Sequence, residues 1–202
     1  MEEQRPYSSR DVKSAKDSIV QAQGYKDKGL EAYAAGLNVS SFHDFEGKRV
    51  LDLGAGAHLQ FARGIEKAGI KAEIVSFSPA FADKKWRENI ESRKETDEVV
   101  AGMGEQLPFA DGSFDRIVSL DVPEHLGNHE RYLAYLKEIV RVLAPNGVAY
   151  IGPTARFNKP AAAAAIPKEE LERILDNEVK VSYEQSHEIL KYFTLIMHKP
   201  IT

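Results

Sequence analysis

From Arg49 to Gly152 short apolar runs alternate with stretches of helical periodicity, and that alternation restricts the fold more than any other feature of the chain. The runs at Arg49 to Leu53, Ala72 to Phe77, Glu98 to Ala101, Phe114 to Leu120 and Val148 to Gly152 have the length of buried strands. Between them His58 to Ala68, Ala80 to Arg93 and Glu130 to Leu143 read as helices. In the last of these Leu133, Leu136, Val140 and Leu143 recur at helical spacing with Ile139 beside them, giving one apolar stripe for a sheet face. Strands separated by crossovers of helix length pair in parallel, so the pattern predicts a doubly wound α/β sheet with helices packed on it.

The tail breaks the alternation. Pro167 opens a short helix over Lys168 to Leu175, and Val179 to Tyr183 and Ile189 to His198 then read as strands joined by Glu184-Gln185-Ser186-His187. A connection that short permits an antiparallel hairpin but no parallel crossover. The expected fold class is therefore α/β: a doubly wound, Rossmann-like sheet of seven strands, mostly parallel, closed by an antiparallel terminal hairpin. Ahead of it Arg10 to Leu37 reads as one or two moderately amphipathic helices interrupted near Gly24 and Gly29. Residues 1–45 are thus expected to form a helical cap of the same domain, and residues 46–202 the α/β unit.

Composition narrows the function. With 202 residues and 43% hydrophobic content the chain can bury a sizeable core as one domain. Its net charge of −4 argues against a phosphate-backbone binder, and the basic residues of the N-terminal stretch are interleaved with acids as on a solvated helix face. No cysteine is present, which excludes disulfides, thiolate metal sites and cysteine nucleophiles. The polar start and the absence of an apolar run near the roughly 18 residues of a membrane span give the expectation of a cytoplasmic protein without membrane or nucleic-acid partners.

Val50-Leu51-Asp52-Leu53-Gly54-Ala55-Gly56-Ala57-His58 runs from a buried strand into a glycine-rich turn and a helix, at the first crossover of the predicted sheet. Ligands in such sheets sit beyond the carboxyl ends of the strands, and Gly54 and Gly56 would let backbone amides come close to one. A tight turn without a ligand is the competing reading. A dinucleotide fingerprint is a poor fit, because Leu59 stands at its third glycine and Ser76 where the ribose acid belongs.

Taken in order, Val50 to Gly56, Ser78-Pro79, Gly104 to Phe109, Asp111 to Asp115, Asp121 to Leu126 and Leu143 to Gly147 resemble the successive motifs of class I S-adenosylmethionine-dependent methyltransferases, in particular the group with the ubiquinone and menaquinone biosynthesis enzymes. The similarity covers about Gly47 to Gly152. It implies S-adenosylmethionine as cofactor, with its methionine end against Gly54, Ala55 and Gly56. Asp52 would face the cationic ammonium and sulfonium groups; the alternative is a strand-end residue that caps the turn. Further contacts implied by the resemblance fall at Ser76 and Phe77 after the second strand, at Met103, Gly104 and Glu105 after the third, and at Asp121 after the fourth.

Three positions depart from the family. The acid that holds the ribose hydroxyls is Ser76, the acid that meets the adenine amino group is Met103, and the third glycine of the turn is His58. Hydrogen bonds to charged groups contribute about 1.5–3 kcal/mol each, so the loss of two weakens nucleotide binding by roughly 3–6 kcal/mol unless other groups compensate. The expected function is methyl transfer to a small-molecule acceptor, since the Asn-Pro-Pro-Tyr type of motif found in exocyclic amine methylators is replaced by Asp121-Val122-Pro123-Glu124-His125. The alternative is a repurposed fold that serves as a ligand-binding or interaction module. His125, with Glu124 beside it, is the candidate general base, against a purely local role in the turn. His125 and His129 lack a third ligand, so no metal is expected. Tyr25, Tyr33 and Phe42 read either as core packing of the cap or as an apolar lid.

Overall fold

The structure, a computed structural model, describes residues 29–56, 58–84, 88, 98–152, 166–187 and 192–201. Its centre is a sheet of seven strands: β1 (Arg49–Leu53), β2 (Glu73–Phe77), β3 (Glu98–Val100), β4 (Phe114–Leu120), β5 (Leu143–Gly152), β6 (Lys180–His187) and β7 (Tyr192–His198). They lie in the order β3-β2-β1-β4-β5-β7-β6. The first five pair in parallel, and β7 runs antiparallel to both β5 and β6, as the short connection requires. Among the described residues four α-helices accompany the sheet: α1 (Leu30–Leu37), α2 (Gln60–Lys67), α3 (His129–Val142) and α4 (Lys168–Ile174). Among the described residues no helix is long and apolar enough to cross a membrane.

The twofold alternation of each strand divides the core into two layers. Leu51, Leu53, Val75, Phe77 and Ile117 pack with Tyr132, Tyr135, Leu136 and Ile139 of α3. Val50, Ile74 and Val118 turn the other way and meet Tyr33 and Leu37 of α1 and Phe61 and Ile65 of α2. Asp52 and Ser76, two residues beyond Val50 and Ile74, follow this second layer and are 1% and 0% exposed.

Several boundaries differ from expectation. β5 starts at Leu143 instead of Val148, because Pro145 cannot extend α3 and the backbone at Asn146 turns into the left-handed region, φ 61°. The Asn146 N–H then donates to the Lys199 carbonyl, and Lys199 N–H to Gly147. Glu184 to His187, expected as the hairpin connection, belong to β6, and β7 begins at Tyr192 instead of Ile189. Glu184, Gln185 and His187 pair with Thr194, Phe193 and Tyr192. A strand at the sheet edge can carry polar side chains, which hides it from a hydrophobicity pattern. Of the helix expected over 80–93, a 3₁₀ turn at Pro79–Ala82 is described; residues 85–87 and 89–93 lie outside the described residues, as do residues 10–28 of the expected N-terminal helices.

The segment Leu107 to Asp111 is held to α3 by two side chains at the helix end. Glu138 accepts the Leu107 N–H at 2.6 Å, and Arg141 donates to the carbonyls of Leu107 and Phe109 at 2.9 and 2.8 Å and to Asp111 at 2.7 Å. Glu138 and Arg141 also pair with each other at 2.8 Å. Burial works to raise the Glu138 carboxyl, but the Arg141 hydrogen bond, the Leu107 N–H and the guanidinium charge outweigh it and hold it below its ordinary value. Its contribution is therefore present above the ordinary carboxyl pKa and fades as pH falls through the lower folded one. Arg141→Ala should lower stability by about 2–4 kcal/mol in urea unfolding, with Arg141→Lys recovering little because an ammonium cannot span the carbonyls as a planar fork does. In Glu138→Gln the unfolding midpoint should lose part of its decline between neutral and acidic pH.

Candidate active site

The winding reverses between β1 and β4. The chain leaves β1 for β2 on one side and, after β3, returns to β4 on the other, which leaves a crevice at the carboxyl ends of these two strands. Gly54 carries the turn out of β1 at φ 91°, a conformation that favours glycine, and a Cβ there would collide with Val122 from the β4 side. Gly54 and Ala55 both donate their N–H groups to the Phe77 carbonyl, at 2.8 and 3.1 Å. These amides, expected to face a ligand, instead tie the turn to the end of β2. Gly56 is glycine for another reason: a Cβ would meet nothing within 4 Å, but its φ of 64° is left-handed. Ala57 lies outside the described residues, and the helix expected from His58 starts at Gln60.

Leu59 caps that helix at φ 50°, an unfavourable conformation for leucine. Its side chain is fully buried with Ala55 and Phe81, against the partly buried Val99 and Ala101, and this packing holds the strained backbone. The result is an apolar patch alongside the turn, beyond β2 and β3.

Asp121 leaves β4 with φ 61° and donates its N–H to the Gly152 carbonyl at 2.7 Å. The 3₁₀ turn Pro123–His125 follows, with the His125 N–H on the Val122 carbonyl at 2.9 Å and the His125 side chain half-buried. The turn at Glu124 is described but its side chain is not. Asp52 stands opposite Ser76 in the β1–β2 register and opposite Val118 in β4. Tyr33 of α1 comes down on the same layer. Burial first, then the charges of Asp52 and Asp121, raise its phenol pKa well above the ordinary value, so the hydroxyl stays protonated. The Ser76 hydroxyl is buried without a hydrogen-bond partner among the described residues.

On the α3 face of the crevice a side chain at Gly104 would run into the Tyr135 ring, so this glycine admits α3 to the sheet. Glu105 pairs with Arg131 at 2.5 Å through one carboxylate oxygen, and the other is buried without a partner among the described residues. Tyr135 donates to Ser119 at 2.5 Å, and its phenol is pushed up by burial, against the lowering effect of Ser119. Phe77 is fully buried against Phe109 and Met103 is half-buried. Among the described residues no group of three or more histidines and acids could hold a metal.

The structure thus gathers Asp52, Gly54, Ala55 and Ser76 with Asp121, Val122 and Tyr33 at one crevice end, while Phe77 packs on Phe109 and Gly104 lies close against Tyr135. Tyr33 enters as a core residue, but its place in the layer that holds Asp52 has no sequence signal. Leu59 and Phe81 of the apolar patch also escaped the motif reading, because single buried apolar residues carry none.

Residues 51–151 match the profile of the family described as Methyltransferase domain. The chain belongs to this family, the class I S-adenosylmethionine-dependent methyltransferases, whose cofactor is S-adenosylmethionine. It is 26% identical to norajmaline N-methyltransferase of Rauvolfia serpentina over 77% of this chain and 59% of that one. With demethylmenaquinone methyltransferase of Corynebacterium glutamicum it shares 33% identity over 64% of this chain and 51% of the relative. The chain therefore spans little more than half the length of these two relatives. Its fold superimposes with TM-score 0.63 on Burkholderia thailandensis 1,6-didemethyltoxoflavin-N1-methyltransferase, solved with its didemethyltoxoflavin and S-adenosylhomocysteine, at 17% identity over 98% and 93% of the two chains.

The crowding of Gly54 has a measurable consequence. Gly54→Ala should destabilise the protein by about 1–3 kcal/mol, from the positive φ together with the collision with Val122. Adding Val122→Ala should restore only the part that comes from the collision, which a double-mutant cycle in urea would resolve.

Proposed function

We propose that the chain binds S-adenosylmethionine in the β1/β4 crevice and catalyses methyl transfer to a small-molecule acceptor. The observation that supports this most strongly is the meeting of the Gly54 turn with two carboxylates, Asp52 and Asp121, at the switch point of the sheet. Buried negative charge there suits a ligand that brings positive charge out of water. The bound cofactor supplies an electrophilic methyl group on a sulfonium. Asp52 and Asp121 set the potential for the cationic end, and the partly buried Val99 and Ala101, backed by Leu59 and Phe81, suit an apolar ring face. Ser76 and Glu105 each keep a buried oxygen available for a hydroxyl or an amino group, which offsets part of what the two absent acids would give.

Methyl transfer requires an in-line nucleophile more than elaborate chemistry, so positioning carries most of the rate. His125, on the turn that begins at Val122, takes a proton from acceptors that must lose one, with Glu124 in the same turn. Small-molecule acceptors are favoured over nucleic acid by the acidic balance and by the sequence of the Asp121 turn. The replacement of two nucleotide-binding acids by Ser76 and Met103 favours a second reading, a family member that binds a metabolite without catalysis.

The two readings separate in one set of measurements. S-adenosylhomocysteine at about 100 times its dissociation constant stabilises by roughly 2.7 kcal/mol, or about 5–11 °C in melting temperature for a domain of this size. A screen of metabolite pools with isotopically labelled methyl donor should then show transfer that Asp52→Ala abolishes and His125→Ala reduces for acceptors that need deprotonation. Donor binding with label never above the Asp52→Ala background would establish the non-catalytic reading. No shift with either adenosyl ligand, supported by flat calorimetry, would overturn both donor binding and methyl transfer.

A further inference from the structure

The sheet ends at β6, and an end strand presents a row of backbone donors and acceptors along its outer edge. The Val181 N–H shows which residues form that row: it donates to the Glu172 carboxylate of α4 at 2.8 Å, so it is not spent on β7. By the alternation of an antiparallel ladder the N–H and C=O of Tyr183 point the same way, while Lys180, Ser182 and Glu184 bond across to His198, Ile196 and Thr194. The strand is fixed from one face, because Val181 is buried in the core and the Tyr183 hydroxyl donates to the Ile166 carbonyl at 3.0 Å. The Glu172 side chain is only 13% exposed, and its second oxygen lies 4.0 Å from the Lys180 ammonium. One carboxylate therefore occupies an edge donor and draws in the lysine beside it.

Lys180 and Glu184 share the other face of β6 and stand two residues to either side of Ser182 with opposite charges. An antiparallel copy of the strand centred on Ser182 would set each lysine opposite the glutamate of the other copy. It would also pair Val181 with Tyr183 through their outward N–H and C=O groups. A centre at Glu184 would instead bring like charges face to face. The pattern is self-complementary about a twofold axis, as an interface between identical chains requires.

We infer that the β6 edge fits a second copy of this chain in that register and that Glu172 holds the edge shut. Pairing needs both the Val181 N–H that Glu172 occupies and the Lys180 ammonium that it attracts, so loss of its carboxylate frees the backbone and the charge together. Donor binding plays no part in this, because β5 and β7 separate the edge from the β1/β4 crevice.

Sedimentation equilibrium of the full chain over a wide concentration range provides the test, with a thermal melt of each variant to establish that it is folded. The wild type should sediment as one chain, and Glu172→Ala should raise the association constant about tenfold or more. Glu172→Gln should stay with the wild type, because its amide oxygen still accepts the Val181 N–H. In the Glu172→Ala background Lys180→Glu should disperse the dimer, and adding Glu184→Lys should restore it. A folded Glu172→Ala chain with unaltered mass would overturn the inference, as would a dimer indifferent to Lys180→Glu or one formed equally by Glu172→Gln. Hydrogen exchange on the wild type tests the geometry without any substitution: the Val181 amide should exchange slowly and the Tyr183 amide fast. A Tyr183 amide as protected as that of Ser182 would show an edge already covered and would also overturn it.

Discussion

The reversal of winding between β1 and β4 is the constraint on which the rest of the molecule depends. Neighbouring strands whose connections depart to opposite sides leave their carboxyl ends uncovered by a crossover. The turn after β1 must then be tight, and it is: the Phe77 carbonyl takes the N–H groups of both Gly54 and Ala55, which fixes the turn against β2. On the other side Val122 packs where a Gly54 side chain would be, so the β4 turn and the β1 turn fit only because residue 54 lacks a Cβ. Asp121 adopts a left-handed backbone to begin that turn, with its N–H secured on Gly152 of β5. Each strain at the crevice is held by a hydrogen bond or by packing in a neighbouring strand.

Charge explains why the crevice suits a cationic ligand. Asp52 belongs to a layer otherwise made of Val50, Ile74, Val118 and aromatic rings, where a carboxylate is expensive to bury without a partner. The phenol of Tyr33 shares that layer from α1, and Asp121 adds a second negative charge to the same environment. On the opposite face Glu105 is fixed by Arg131 at one oxygen. The site is thus acidic at Asp52 and Asp121 and apolar where Val99 and Ala101 lie over the buried Leu59 and Phe81. This is the polarity that a sulfonium joined to a purine nucleoside requires, and it persists although Ser76 and Met103 replace the family's usual acids.

Much of the framework was readable from the sequence. β1, β2 and β4 were found within a residue of their bounds because their centres, Val50-Leu51, Ile74-Val75 and Ile117-Val118, are consecutive apolar residues buried on both faces of the sheet. The hairpin was inferred correctly in sense but displaced, because Glu184 to His187 continue β6 with polar side chains at a sheet edge. The start of β5 was missed for a similar reason: Ala144 to Gly147 have turn chemistry, and their pairing with Lys199 comes from a residue far along the chain. In the site, the glycine turn and Asp52 announced themselves by position. The different reasons for Gly54 and Gly56 did not, since one is set by Val122 in space and the other by φ alone. Nor could Tyr33 be separated from ordinary core aromatics, because what distinguishes it is the charge of Asp52 and Asp121 around it after folding.

Where the donor sits is the most direct measure of what the switch point of this sheet does. A crystal structure of this chain with S-adenosylhomocysteine should place the ligand at the carboxyl ends of β1 and β4, with the amino-acid end toward Asp52 and Asp121 and the adenine on the side of Val99 and Ala101. Density for the ligand at any other place on the molecule, or its amino-acid end turned away from Asp52 and Asp121, would contradict donor binding at the switch point.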